Sequence, residues 1–97
     1  MRKLNKDESF ILIIYDIVDD RRRDKLAEYL NGYGYRVQKS CFEAVLTRKQ
    51  YLVLLKDIPH MVNLKEDSVR IYKFHERSSV TNFGTEPQID YDVIGIV

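Results

Sequence analysis

The chain has few cysteines and few helix breakers: one cysteine, two prolines and four glycines in 97 residues. A single cysteine, Cys41, excludes an internal disulfide framework and favours a reducing cytoplasm. A long hydrophobic run is also missing, because the apolar stretch at residues 10–18 is interrupted by Asp16 and is too short to span a membrane. We therefore expect a cytoplasmic protein with no membrane partner.

An excess of charge of one sign is missing too. Sixteen Lys and Arg residues oppose fifteen Asp and Glu residues, which leaves a net charge of +1. Bulk charge thus gives no sign of a nucleic-acid partner, which only a local concentration of basic residues could indicate. The length suits one domain over residues 1–97 with a modest core, and a second copy would help to cover that core.

The first half of the apolar pattern predicts a strand followed by a helix. Residues 10–15 are continuously apolar and rich in β-branched side chains, as in a central strand covered on both faces. A helix follows, with Asp19 or Asp20 as its N-cap and with Gly32 and Gly34 at its end.

The second half predicts two short strands, at residues 35–38 and 42–46, and then a second helix. Thr47 and Gln50 form the T-x-x-Q pattern of a capping box at the start of that helix. Pro59 either kinks the helix or starts a second short one.

The predicted order is completed by a strand at residues 68–74. It gives an α+β, ferredoxin-like β-α-β-β-α-β sandwich in a single domain, with an extra C-terminal strand. Residues 1–9 form a polar N-terminal extension, and the extra strand, within residues 89–97, needs a pairing partner. The sheet edge of a partner subunit would supply one.

The junction after the first strand is the most informative stretch for function. Asp16 directly follows this apolar run and needs a partner there: a backbone amide, an arginine or a metal ion. A structural ion pair or a turn is the other interpretation of Asp16. Residues 21–23 are three arginines at a helix start, where cations oppose the helix dipole. They indicate either a phosphate site or a solvated basic turn that neighbouring aspartates neutralise.

Four blocks of residues resemble the CRISPR-associated protein 2 family. The first is Ile14-Tyr15-Asp16-Ile17-Val18-Asp19-Asp20 followed by Arg23. The second is Tyr33-Gly34-Tyr35-Arg36-Val37-Gln38 with Ser40-Cys41-Phe42-Glu43. The third is Leu46-Thr47, and the fourth is Asp67-Ser68-Val69-Arg70-Ile71-Tyr72. Their order and spacing carry the resemblance over nearly the whole domain.

The resemblance implies a ferredoxin-like homodimer in which the C-terminal strand packs on the partner's sheet. It also implies a role in CRISPR spacer acquisition, in complex with the CRISPR integrase subunit. Members are described as metal-dependent endonucleases that act on single-stranded RNA or double-stranded DNA. We therefore expect an Mg²⁺-dependent endonuclease, and as the alternative a non-catalytic dimeric scaffold that binds DNA for the integrase.

The resemblance also assigns residues. It makes Asp16 the metal ligand, with Arg23, Arg36 and Phe42 as the other catalytic residues. Lys25 stands where arginine also occurs, and lysine binds phosphate only as a point charge. The predicted nucleic-acid contacts are Arg21, Arg22, Arg23, Lys25, Arg36 and Ser40.

Three residues that often carry chemistry receive no role. His60 and His75 have no neighbour at metal-binding spacing, and Cys41 is interpreted as a small packing residue. A third interpretation of the whole chain, a ferredoxin-like regulatory domain, predicts no binding to nucleic acid even at low salt.

Overall fold

The computed structural model describes residues 4–75, 81 and 83–84. Its elements follow the predicted β-α-β-β-α-β order, which confirms the ferredoxin-like fold. They are β1 Glu8–Asp16, α1 Asp20–Asn31, β2 Gly34–Gln38, β3 Cys41–Thr47, α2 Arg48–Asp57, a 3₁₀ helix Ile58–His60, and β4 Ser68–Phe74. The predicted strand within residues 89–97 lies outside the described residues.

The four strands form one antiparallel sheet in the order β2-β3-β1-β4. Alternate residues of β1 point to opposite faces of this sheet. Ile11, Ile13 and Tyr15 are almost completely buried on the face that the helices cover. The other face, called the open face below, carries Ile14, which is 41% exposed. Among the described residues, β1 is therefore fully covered on the helix face and only partly covered on the open face, where the sequence predicts cover on both.

Both helices begin where the caps predict. The Asp19 carboxylate accepts a hydrogen bond from the Arg22 amide, so Asp19 rather than Asp20 is the N-cap of α1. Thr47 and Gln50 form the predicted capping box of α2. Pro59 lies in the 3₁₀ helix that follows α2, so it starts a short second helix rather than kinking the first.

The sequence predicts that Gly32 and Gly34 both lie at the end of α1, but only Gly32 is the C-cap. Gly34 lies in β2. A Cβ atom on Gly34 would lie 2.1 Å from the Glu43 carbonyl oxygen and 2.7 Å from the Ala44 Cβ. The glycine is needed because β3 approaches too closely for any side chain.

The first strand begins two residues earlier than predicted. Glu8 pairs with Thr47 of β3, and the Asn5 amide donates to the Glu8 carboxylate at 2.9 Å. Glu8 and Ser9 are buried. The polar extension is therefore shorter than residues 1–9.

The helices are short. Among the described residues, none is long and apolar enough to cross a membrane.

Candidate functional site

Asp16 is the last residue of β1, and it is exposed. It lies opposite Ser68, the first residue of β4. By strand alternation its side chain shares the open face with Leu12 and Ile14. The carboxylate therefore stands at the rim of a partly uncovered apolar surface, beside the start of α1.

The residues just before Asp16 are fixed by the hairpin between β2 and β3. The Tyr15 amide donates to the Ser40 carbonyl at 3.0 Å, and the Tyr15 hydroxyl donates to the Lys39 carbonyl at 3.3 Å. The Arg36 guanidinium donates to the same Lys39 carbonyl at 2.8 Å and to the Tyr15 hydroxyl at 3.4 Å. Arg36 is thus held at the same end of the sheet as Asp16.

Phe42 lies in the core, 1% exposed, with its ring stacked on Tyr15 at a centroid distance of 6.2 Å. It has almost no surface to offer a nucleic acid. The structure gives Phe42 the role of packing against Tyr15, on the opposite face from Asp16.

The three arginines at the start of α1 differ in their surroundings. Arg21 is exposed on the helix surface. Arg22 forms ion pairs with Asp67 at 3.0 Å and with Glu66 at 2.8 Å. Arg23 pairs with Asp20 and donates to the Ile17 carbonyl at 3.5 Å. The carboxylates offset the unfavourable interaction of these cations with the helix dipole.

Asp67 is the carboxylate at the centre of these bonds. The Arg22 guanidinium, with help from the backbone amides of Asn63 and Val18, lowers the pKa of Asp67 to about 2. In turn, the hydrogen bond to Asp67 raises the pKa of Arg22. Both groups stay charged throughout the neutral range, which keeps the ion pair intact there.

The other predicted contacts lie at the surface. Lys25 is exposed and borders an open groove together with His60. Ser40 is half-buried and uses its carbonyl to bond Tyr15. Cys41 pairs across the sheet with Ile14, and burial raises the pKa of its thiol. Such a thiol is a poor nucleophile, which agrees with a packing role.

A metal site within one protomer would need several protein ligands. Among the residues that the structure describes, no group of three His, Cys, Asp or Glu side chains is close enough to hold a metal ion. Asp16 alone suits Mg²⁺ only if waters, a substrate phosphate or a second subunit complete the coordination, which is how Mg²⁺ often binds. Asp16 can therefore supply one ligand to a site that groups from outside the protomer complete.

The structure brings together Asp16, Tyr15, Arg36 and Ser40 at one end of the sheet, with Arg23 bonded to the turn that follows. Sequence reasoning gave no role to Tyr15, which orients Arg36, or to Asp67, which bonds the turn. The Asp67 side chain is fully buried, and the only signal for it is a carboxylate directly before a strand.

A sequence model described as CRISPR associated protein Cas2 matches residues 9–81. The chain belongs to the Cas2 family. The match includes Asp16, all three arginines of α1, and the β2–β3 hairpin. It confirms the resemblance drawn from the four sequence blocks.

Two curated relatives and one solved structure illustrate the similarity. CRISPR-associated endoribonuclease Cas2 of Mycobacterium tuberculosis is 48% identical over 77% of this chain and 66% of the relative. CRISPR-associated endoribonuclease Cas2 3 of Synechocystis is 42% identical over 78% of this chain and 85% of the relative. A hypothetical protein of Thermus thermophilus has a TM-score of 0.75 and 35% identity, covering 86% of this chain and 99% of that one. The chain thus spans just under two thirds of the M. tuberculosis relative.

Proposed function

We propose that this Cas2-family chain is a CRISPR-associated endonuclease that hydrolyses phosphodiester bonds of single-stranded RNA or double-stranded DNA. The observation that carries the proposal is an exposed carboxylate, Asp16, at the end of a buried strand, with Arg36 held at the same end of the sheet and Arg23 bonded to the turn that follows. The names of the curated relatives, which are endoribonucleases, support the nuclease role and favour RNA as the substrate.

The basic residues bind and orient the nucleic acid. Arg36 is held by Lys39 and Tyr15, so its guanidinium needs little reordering to meet a phosphate. Arg23 contacts the turn after Asp16 and offers a second cation. Arg21, Lys25 and Ser40 extend the contact surface, whereas the Arg22 guanidinium is already engaged by two carboxylates.

Asp16 holds Mg²⁺ in this proposal, together with Asp16 of a second subunit. A bound Mg²⁺ supplies Lewis-acid stabilisation of the charge that develops on the phosphate. The chain's own contribution is to present the carboxylate on the open face and to keep Tyr15 and the β2–β3 hairpin fixed beside it.

The homodimer that this site requires would form through the open face. Ile14 and Tyr72 are large apolar side chains of this face and are 41% and 37% exposed. A second copy that packs there covers them and brings the two Asp16 carboxylates toward a common axis. We expect this dimer to work in the cytoplasm.

A scaffold role is the second candidate. It is favoured by the exposed side chains of Arg21 and Lys25, which can bind phosphates without a metal ion. In this role the dimer binds duplex DNA by its backbone, through the same exposed cations, while the CRISPR integrase subunit performs the chemistry. Its affinity for DNA would fall steeply with salt.

Cleavage of labelled single-stranded RNA and linear duplex DNA, with Mg²⁺ or with chelator, separates the two candidates. We expect the wild type to cleave only with Mg²⁺, and Asp16→Ala to lose at least about a hundredfold in rate. Asp24→Ala, which removes an exposed carboxylate of α1, is the matched control and should cleave normally. Equal cleavage by wild type and Asp16→Ala, or none by either, rejects the Asp16 mechanism and favours the scaffold.

A further inference from the structure

The Asp67 carboxylate joins three separate segments of the chain. It accepts hydrogen bonds from the backbone amide of Val18 at 2.9 Å and from the backbone amide of Asn63 at 2.7 Å. It also accepts from Arg22 Nε at 3.0 Å and from Arg22 Nη2 at 3.3 Å. Its side chain is fully buried beneath these donors. Four donors from a turn, a loop and a helix saturate both oxygens of one carboxylate.

These bonds fix the backbone on two sides of Asp16. Val18 follows Asp16 by two residues, so its amide fixes the turn that leaves β1. Asp67 itself precedes Ser68, which lies opposite Asp16 in the β1–β4 ladder. One side chain therefore ties together the backbone after Asp16 and the backbone across from it.

We propose that Arg22 and Asp67 are positioning residues that hold the turn after β1 and so fix where Asp16 presents its carboxylate. The inference rests on the proposed nuclease function of Asp16. It changes the role of Arg22, which the sequence counted among the phosphate ligands. The guanidinium forms a bidentate bond with Asp67 and a further bond with Glu66, and lysine cannot reproduce that geometry.

The chemistry explains why such a clamp matters at this site. A site with one carboxylate per subunit has no second protein ligand to correct a misplaced one. Reacting groups that move by about 1 Å lose on the order of a hundredfold in rate. The clamp keeps the turn in place without contacting the substrate, so its loss should lower kcat and leave binding nearly unchanged.

The test compares Asp67→Asn and Arg22→Lys with wild type in the full-length protein. We expect kcat for RNA cleavage to fall at least about tenfold in Asp67→Asn, while the KM and the RNA dissociation constant change less than about twofold. Hydrogen exchange at the Val18 amide should accelerate by about tenfold or more. Arg22→Lys keeps the charge, serves if Asp67→Asn fails to fold, and should show the same pattern more weakly.

The matched control is Lys65→Gln, which removes one exposed cation from the same loop and should change none of these quantities. An unchanged kcat despite faster Val18 exchange overturns the proposal. So does a large loss of RNA affinity at constant kcat, because it would make Arg22 a phosphate ligand.

Failure of the proposed nuclease function gives a different result, namely no cleavage by the wild type. The positioning claim is then decided by NMR of the carboxyl carbon of Asp16. Its chemical shift and the Val18 exchange rate must both change in Asp67→Asn and not in Lys65→Gln. If either stays as in the wild type, the claim is rejected.

Discussion

The Arg36 guanidinium lies 3.4 Å from the Tyr15 hydroxyl. Tyr15 directly precedes Asp16, the last residue of β1. The same hydroxyl donates to the Lys39 carbonyl, which also accepts from Arg36. A tyrosine of the core thus connects the arginine of β2 with the strand that ends at Asp16. This network holds the cation and the residue before Asp16 at one end of the sheet.

Tyr15→Phe tests this network. We expect the free energy of unfolding in urea to fall by about 1 kcal/mol, because two modest hydrogen bonds are lost. RNA cleavage should slow severalfold, because Arg36 loses one of its two partners. Tyr29→Phe is the matched control, since it removes a hydroxyl that donates to Asp57 at 2.7 Å near the end of α1, and it should cleave RNA normally. Equal cleavage by the wild type and Tyr15→Phe would show that Arg36 needs no orientation by Tyr15.

Because of the ion pair between Asp67 and Arg22, we expect the free energy of unfolding to fall at acid pH. The pKa of Asp67 is lowered in the folded chain from 3.8 to about 2. A lowered pKa means that the carboxylate stabilises the fold fully above its unfolded pKa, and that this contribution is lost as the pH falls through the folded value. Urea unfolding should show Asp67→Asn less stable than the wild type at pH 7. The difference should shrink between pH 4 and pH 2. A difference that is constant over this range would contradict the role of the charge.

Adding a single methyl group at Gly34 should destabilise the fold severely. A Cβ atom there would overlap the Glu43 carbonyl oxygen at 2.1 Å, and backbone atoms cannot move aside easily. Gly34→Ala should therefore lower the free energy of unfolding by more than about 2 kcal/mol. Gly32→Ala is the control, because its Cβ would meet only the Tyr29 carbonyl oxygen at 3.4 Å in helical backbone. We expect it to be neutral or stabilising, and similar losses in both variants would refute the steric argument.

Local signals in the sequence predict much of this fold. The capping box of Thr47 and Gln50 forms as predicted, and of the two predicted N-cap candidates the helix uses Asp19, whose carboxylate bonds the amide three residues on. Gly34 was misassigned because a glycine after a helix resembles a C-terminal cap. The chain needs glycine at this position because β3 approaches closely, and no local sequence pattern reveals such a contact between strands.

The site was predictable only in part for the same reason. Asp16 stands out locally, because it is a carboxylate after an apolar run. The three arginines of α1 look equivalent in the sequence, yet Arg22 has its partner 45 positions away at Asp67. Only the folded chain separates the arginine that is held by carboxylates from Arg21, which faces solvent.

Two Asp16 carboxylates of one dimer should together form a single metal-dependent site. Subunits of wild type and Asp16→Ala are mixed in equal amounts, allowed to exchange fully, and assayed for cleavage of single-stranded RNA with Mg²⁺. Random pairing makes about a quarter of the dimers fully wild type and about half of them mixed. If both carboxylates are required, activity falls to about a quarter of that of the same total amount of wild type. Activity of about one half would show that each subunit works alone and would contradict the shared site.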